Sequence, residues 1–322
     1  MKRIFAAILV LVLLAPGAAF AAYPEKPINH IVPAAAGGGW DRASRIVTDE
    51  WGAQLGQPFK FDYVPGASGM IGMNKLRNSG KQGYATAIIT FNMVNIAAKY
   101  QKDASIGWND LAFVGNIITD QNAVFVHKDS PFNTLRELID YGKTASEPLK
   151  VGGAHPTAVS TLAARLFIER TGIKATLVAF NGGAESRKAL AGKHLDVIVS
   201  VSASAVPMKD FFKGLGVFAK DNKAAGIFDM PPVNEALPGM DFPDFLEPFG
   251  VVVSREFMEK RPEEYARLVA AFKEAMHSEG AKKQAETMGM ATFVDYWSPE
   301  ECEKFAKDFD VVLETYASLM QQ

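Results

Sequence analysis

The residues best suited to chemistry in this 322-residue chain are glycines, not nucleophiles. Pro33-Ala34-Ala35-Ala36-Gly37-Gly38-Gly39-Trp40-Asp41 follows an apolar run and leads into a helical pattern. Glycines without Cβ atoms let the backbone turn its N–H groups inward and let a guest approach closely. At a helix N-terminus, unpaired amides and the helix dipole favour negative charge by about 0.3–2 kcal/mol. The run therefore predicts an anion cradle, with a tight strand-to-helix turn that holds no guest as the plainer alternative. A second loop, Val64-Pro65-Gly66-Ala67-Ser68-Gly69-Met70-Ile71-Gly72, repeats the logic, and the Ser68 hydroxyl offers one further donor. Loops at the carboxyl ends of neighbouring strands in an open α/β sheet point into one crevice, so both loops can face one ligand. The candidate contacts are Ala35, Ala36, Gly37, Gly38, Gly39, Trp40 and Asp41 in the first loop, and Gly66, Ala67, Ser68, Gly69 and Met70 in the second. A carboxylate does not attract an anion, so Asp41 reads better as a helix cap that fixes the loop than as a direct contact.

Three later segments offer more. Phe91 and Asn92 end a third strand-like run and can supply an apolar wall and an amide, or equally packing and turn chemistry. Gly152-Gly153-Ala154-His155-Pro156-Thr157 and Asn181-Gly182-Gly183-Ala184-Glu185 repeat the glycine-then-helix order. His155, Thr157, Asn181, Gly182 and Gly183 would thereby meet the far end of a ligand, His155 either as a donor to a second carboxylate or as a plain helix cap. Ser200 and Ser202, at the end of a strand beginning at Leu195, are further candidates. Catalytic alternatives find little footing. The histidines at 30, 127, 155, 194 and 277 form no metal-binding pair at helical spacing. Ser68 lies in Gly-Ala-Ser-Gly, not in the Gly-x-Ser-x-Gly elbow of hydrolases. Gly66, Gly69 and Gly72 lack dinucleotide spacing, and Cys302 falls on a helical stripe as a small hydrophobe. The expectation is a binding protein with no catalytic residues, metal or cofactor.

The elements that must position these loops alternate. Strand-like runs at Ile28–Val32, Phe59–Val64, Ala85–Thr90, Leu111–Ile117 and Asn122–His127 are separated by helical patterns such as Ala43, Ile46, Val47, Trp51 and Leu55. Further runs lie at Leu149–Gly152, Ala175–Phe180, Leu195–Val201 and Phe249–Val253. Such alternation reads as α/β with mainly parallel sheets. Thr134 with Glu137 predicts a capped helix, and Ser298, Pro299 and Glu301 predict the N-terminus of the last one.

Lys2 and Arg3, the apolar run Ile4–Leu14 and small residues at Ala19 and Ala21 have the order of a secretory signal cleaved after Ala21. Losing Lys2 and Arg3 and no acid takes the formal charge from −2 to −4, which speaks against nucleic acid as a partner. The single cysteine excludes an internal disulfide. The roughly 300 remaining residues exceed one ordinary core. Composition breaks predict residues 1–21 as signal peptide, 22–121 with 249–322 as a discontinuous first lobe, and 122–248 as an inserted second lobe. Two crossing segments would make a hinge, and a hinge between α/β lobes makes a closable cleft.

Tyr23-Pro24-Glu25-Lys26-Pro27-Ile28, Gly37-Gly38-Gly39-Trp40-Asp41-Arg42 and Pro65-Gly66-Ala67-Ser68-Gly69-Met70-Ile71-Gly72 resemble the tripartite tricarboxylate transporter receptor family, also called the Bug receptors. Gly182-Gly183-Ala184-Glu185, Ala189-Leu190-Ala191-Gly192, Asp196-Val197 and Pro231-Pro232-Val233-Asn234-Glu235 look like its later signatures. The resemblance implies a type II periplasmic-binding-protein fold. It also implies a small carboxylate held between the two glycine loops by main-chain amides and water, and delivery of that ligand by a periplasmic monomer to a large and a small membrane subunit. Ser68, where the family commonly has glycine, and Gly214-Leu215-Gly216, where it usually has a basic residue, depart from the pattern. A receptor presenting its ligand to a membrane sensor kinase would need the same cleft and stays open as an alternative. An exported enzyme is the remaining one.

Overall fold

The computed structural model describes residues 23–100, 106–180 and 182–320. The signal reading of residues 1–21 lies outside them. Among the described residues, nine strands form: β1 (Ile28–Val32), β2 (Phe59–Tyr63), β3 (Ala85–Thr90), β4 (Leu111–His127), β5 (Leu149–Gly152), β6 (Ala175–Val178), β7 (Val197–Val201), β8 (Phe212–Val217) and β9 (Leu246–Ser254). They hydrogen-bond in the order β2-β1-β3-β9-β4-β7-β5-β6, with β8 also beside β4.

The expectation of mainly parallel pairing holds only within each half. β1 is parallel to β2 and β3, and β5 to β6 and β7. At the centre it is corrected, because β9 is antiparallel to β3 and β4, and β4 is antiparallel to β7 and β8. A chain that crosses from one half to the other along β4 must return along β9, and neighbouring segments running opposite ways pair antiparallel. The result is an α/β fold of two lobes, one on β1–β3 and one on β5–β7.

β4 replaces the two shorter strands expected at Leu111–Ile117 and Asn122–His127. It pairs with β9 through Gln121 and with β7 from Asn122 onward. Register shifts near Gly115 and Asn116 interrupt the ladder, and such bulges bend a strand. β8 was not expected. Its Gly214 and Gly216 leave room for Met230 and Leu135, whose side-chain atoms would lie 2.5 Å from an added Cβ.

Helices cover the sheets by burying apolar stripes. Helix Gly39–Leu55 packs on helix Pro262–His277, with Trp51 fully buried, its Nε1 donating to Leu268 O (3.1 Å) and its ring 5.0 Å from Phe272. Both expected caps form. Thr134 accepts from Glu137 N, and Ser298 and Glu301 make a reciprocal capping box ahead of helix Pro299–Thr315. That last helix reaches past the first lobe. Asn95 of helix Phe91–Tyr100 donates to Ala306 O, while Phe309 and Leu313 share an apolar cluster with Leu162 and Phe167, and Arg170 donates to the Tyr316 hydroxyl at 2.9 Å. No helix among the described residues is long and apolar enough to cross a membrane.

Candidate functional site

A cavity of about 570 Å³ lies between the lobes. Its walls are built from the starts of five helices. Trp40 belongs to helix Gly39–Leu55, Gly69 precedes Met70–Ser79, and Thr90 and Met93 flank the start of Phe91–Tyr100. From the second lobe, Ala158 and Val159 open helix Val159–Thr171, and Gly182 and Gly183 open Gly183–Ala191. A smaller cavity of about 220 Å³ shares Trp40, Thr90, Ala154, Ala158, Gly183 and Glu247 with the first and adds Gly39, Arg187, Ser200 and Ser204. The first N–H groups of a helix have no intrahelical partner, so these walls carry convergent donors.

The first loop divides. Gly39 and Trp40 line the cavities, while Ala35, Ala36 and Gly37 are exposed and, with Gly38, stand outside their lining. Asp41 is buried and tied into the loop. Its Oδ2 accepts from Gly37 N (2.7 Å), and its Oδ1 accepts from Arg45 Nε and the Tyr63 hydroxyl, both at 2.9 Å. Asp41 thus fixes the loop as expected, but from the third helical position, since the N-cap is Gly38. The same bond consumes the Gly37 amide, which corrects Gly37 as an anion donor.

In the second loop Gly66, Ala67 and Gly69 line the larger cavity. Gly69 has φ 90°, and a Cβ there would lie 2.6 Å from Met93 Cε and 3.3 Å from Trp40 Cη2, so only glycine lets this loop seat against the first. Two amides expected to face the ligand are used locally: Gly69 N donates to Gly66 O and Met70 N to Ala67 O, while the Met70 side chain is buried in the core. The Ser68 side chain and Asn181 lie outside the described residues.

Three other expectations are corrected. Phe91 is fully buried against Phe113, ring centroids 4.8 Å apart, because it sits on the core side of its helix; Met93 and Ile96 face the cavity instead. Asn92 is buried, with neither amide atom hydrogen-bonded, and is not part of the lining. Ser202 donates to Gln121 O at 3.0 Å and serves the crossing strand, leaving Ser204 and Ser200 on the cleft.

His155 and Thr157 line the larger cavity. The Thr157 amide and hydroxyl both approach His155 Nδ1, at 3.4 and 2.9 Å, and burial lowers the histidine's pKa. A neutral ring that accepts at Nδ1 presents its proton at Nε2. Helix Val159–Thr171 is capped by Ala158, so the cap alternative for the His155 side chain falls away.

Two charged side chains had no sequence signal strong enough to find them. Arg187 lies one turn into helix Gly183–Ala191, where the missing Cβ of Gly183 gives its guanidinium room, and it donates to Ser200 Oγ at 3.1 Å. Glu247 of β9 accepts from Asn122 Nδ2 at 3.0 Å and stands directly across from Asp120 of β4. Burial raises Glu247 to about 7, helped by the Asp120 charge and opposed by the Asn122 bond and by Arg187. Burial likewise raises Asp120 to about 6, against its bonds from Ala203 N and Gln121 N and the pull of Arg187. Elsewhere, burial pushes the Cys302 thiol up, and His30 is held neutral in the core, lowered to about 3 by burial between Thr86 and Ser44.

Comparison with known proteins bears on this cleft. Residues 43–310 match the model of the tripartite tricarboxylate transporter family receptor. A UPF0065 protein of Agrobacterium vitis is 30% identical over 199 residues, which are 61% of this chain and 58% of that relative's length. Two solved structures share the fold. An R. palustris protein with adipate has a TM-score of 0.78 at 20% identity, covering 93% of this chain and 98% of that one. MatC from Rhodopseudomonas palustris with bound malate has a TM-score of 0.74 at 19% identity, covering 92% and 100%.

Proposed function

The chain belongs to the tripartite tricarboxylate transporter receptor family, and from that premise we propose that it captures a small organic acid between its lobes and hands it to the large and small membrane subunits of such a transporter. The observation that carries this reading is the convergence of five helix N-termini on one cavity between the lobes. Such ends carry positive dipole and, save for Gly69 N and Met70 N, which are bonded locally, first-turn amides without an intrahelical partner, so an anion there is solvated without a dedicated cation from the first lobe. The malate and adipate named for the two R. palustris proteins support a carboxylate as ligand. In this reading the mature chain works in the periplasm as a monomer after cleavage near Ala21, with lobe boundaries near Gln121 and Pro248, and performs no catalysis. Gly39, Trp40, Gly66, Ala67, Gly69, His155, Thr157, Gly182, Gly183 and Ser200 are its binding residues.

Thermal melts with a panel of small organic acids test it. A true ligand raises the melting temperature with the logarithm of its excess over Kd, about 2.7 kcal/mol of stabilisation at 100-fold excess. A panel of carboxylates of two to eight carbons that leaves the melt unmoved would remove the receptor reading. Co-purification of the loaded protein with the two membrane subunits tests delivery.

A further inference from the structure

The floor of the cleft carries charges that a plain diacid does not need. Arg187 enters from the second lobe, and Glu247 rises from the crossing strand β9. Each feels the other's charge, yet neither is ion-paired to the other: Arg187 is held by Ser200 and Glu247 by Asn122. Asp120 stands across the strand pair from Glu247, fully buried, with its Oδ2 unpartnered. The groups facing Glu247 are thus Asp120 from β4, Asn122 from the same strand, and Arg187 from the helix above, with Arg42 close enough to Asp120 to feel its charge and itself donating to Met288 O. Glu247 lines both cavities, accepts a side-chain bond from Asn122 and is in no ion pair among the described residues, so its carboxyl repels a guest's carboxylate and welcomes a positive group. The Arg187 guanidinium, which lines the same smaller cavity, asks for the reverse.

We infer that the ligand is a zwitterion, an organic acid that also carries a protonated amine, with a carboxylate toward Arg187 and Ser200 and the ammonium at Glu247. This rests on the receptor reading above and narrows its substrate class. A purely anionic guest adds a further negative group beside Glu247 and Asp120 and leaves Glu247 without a positive partner of its own. An ammonium donates to the Glu247 carboxylate and separates the opposed charges of floor and helix into two satisfied pairs. The two adjoining cavities, about 570 and 220 Å³, together have the size of a site for a small molecule.

The test is calorimetry on the mature protein with matched pairs, L-aspartate against succinate, L-glutamate against glutarate, and longer and shorter homologues of each pair, at pH 6 and pH 8. The amine-bearing member is expected to bind about tenfold or more tightly, the order of one hydrogen bond to a charged group. Its advantage is expected to widen at pH 8, where Glu247 is ionised. In Glu247→Gln the preference is expected to shrink to about twofold or less, whereas Arg187→Gln should weaken both members of each pair. Should Glu247→Gln fail to fold by its melt, the wild-type ratio and its pH dependence decide alone. Diacids that bind more tightly than their amino counterparts, the more so at pH 6, would overturn the zwitterion inference while sparing the receptor. Silence from every acid in both series would overturn the receptor reading itself.

Discussion

Asp41 decides which backbone groups of the first loop remain for a guest. By accepting from Gly37, Arg45 and Tyr63 it locks the glycine run in place and neutralises its own charge against Arg45, so its carboxylate does not poison a nearby anion site. Binding by this loop then depends on Gly39 and Trp40, whose amides stand at the helix start. A Cβ at Gly39 would meet Phe249 Cε2 at 3.2 Å and Ser204 Oγ at 3.4 Å, so a branched side chain there must spread into the smaller cavity. Gly39→Val is expected to weaken ligand binding about tenfold or more, with a melting temperature only slightly lower, because the residue is helical and the clash is with the cleft wall. Wild-type affinity by calorimetry would remove the first loop from the site. The glycine loops were legible because glycine has a backbone meaning that travels with the sequence. Arg187 and Glu247 were not, since a charge on a helix or strand is ordinarily a solvated face, and only the fold reveals that these two turn inward.

At the scale of elements, β4 shows why a strand can hide from its own pattern. Thr119, Asp120, Gln121 and Asn122 are polar in sequence, and a polar run between apolar ones reads as a loop; all four are buried. Several of these polar groups are answered across the chain rather than along it, while Asp120 Oδ2 and Asn122 Oδ1 stay unpartnered. Gln121 Nε2 donates to Asp221 O and its Oε1 accepts from Lys223 N, Asn122 donates to Phe245 O, and Ser202 donates to Gln121 O. Within the lobes the runs that became β1, β3 and β5 were legible to the residue, since period and apolar content suffice where a strand is covered by helices. The crossing strands were not, because their partners are distant in sequence. If Ser202 serves the crossing and not the ligand, Ser202→Ala should cost about 1 kcal/mol of stability, the usual value of one hydrogen bond, and leave ligand affinity unchanged. Denaturant melts and calorimetry on one preparation separate the two outcomes. A loss of affinity without a loss of stability would return Ser202 to the binding surface.

The whole molecule is held by two crossing strands and by a C-terminal helix that touches both lobes, so the charge balance at the crossing acts on global stability. Glu247 has a folded pKa near 7, above the ordinary 4.5 of a glutamate, because it is buried beside Asp120. A carboxyl whose folded pKa is raised stabilises the fold below its unfolded pKa, and that contribution is lost as pH climbs through the folded value. For Glu247 the loss runs from about pH 4.5 to somewhat above pH 7. Carboxylates held low by lysines, Asp129, Glu256 and Glu303, run the opposite way, losing stability as pH falls. They cancel when a variant is compared with the parent at each pH. Glu247→Gln keeps an oxygen to accept from Asn122 and has no proton to lose. The ligand-free variant is therefore expected to match the parent near pH 4.5 and to melt a few degrees higher at pH 8, the gap opening across that window. A gap that is flat from pH 4.5 to pH 8, or that opens toward acid, would mean that Glu247 is not constrained by burial beside Asp120. The charge pattern read from the cleft floor would then lose its physical basis.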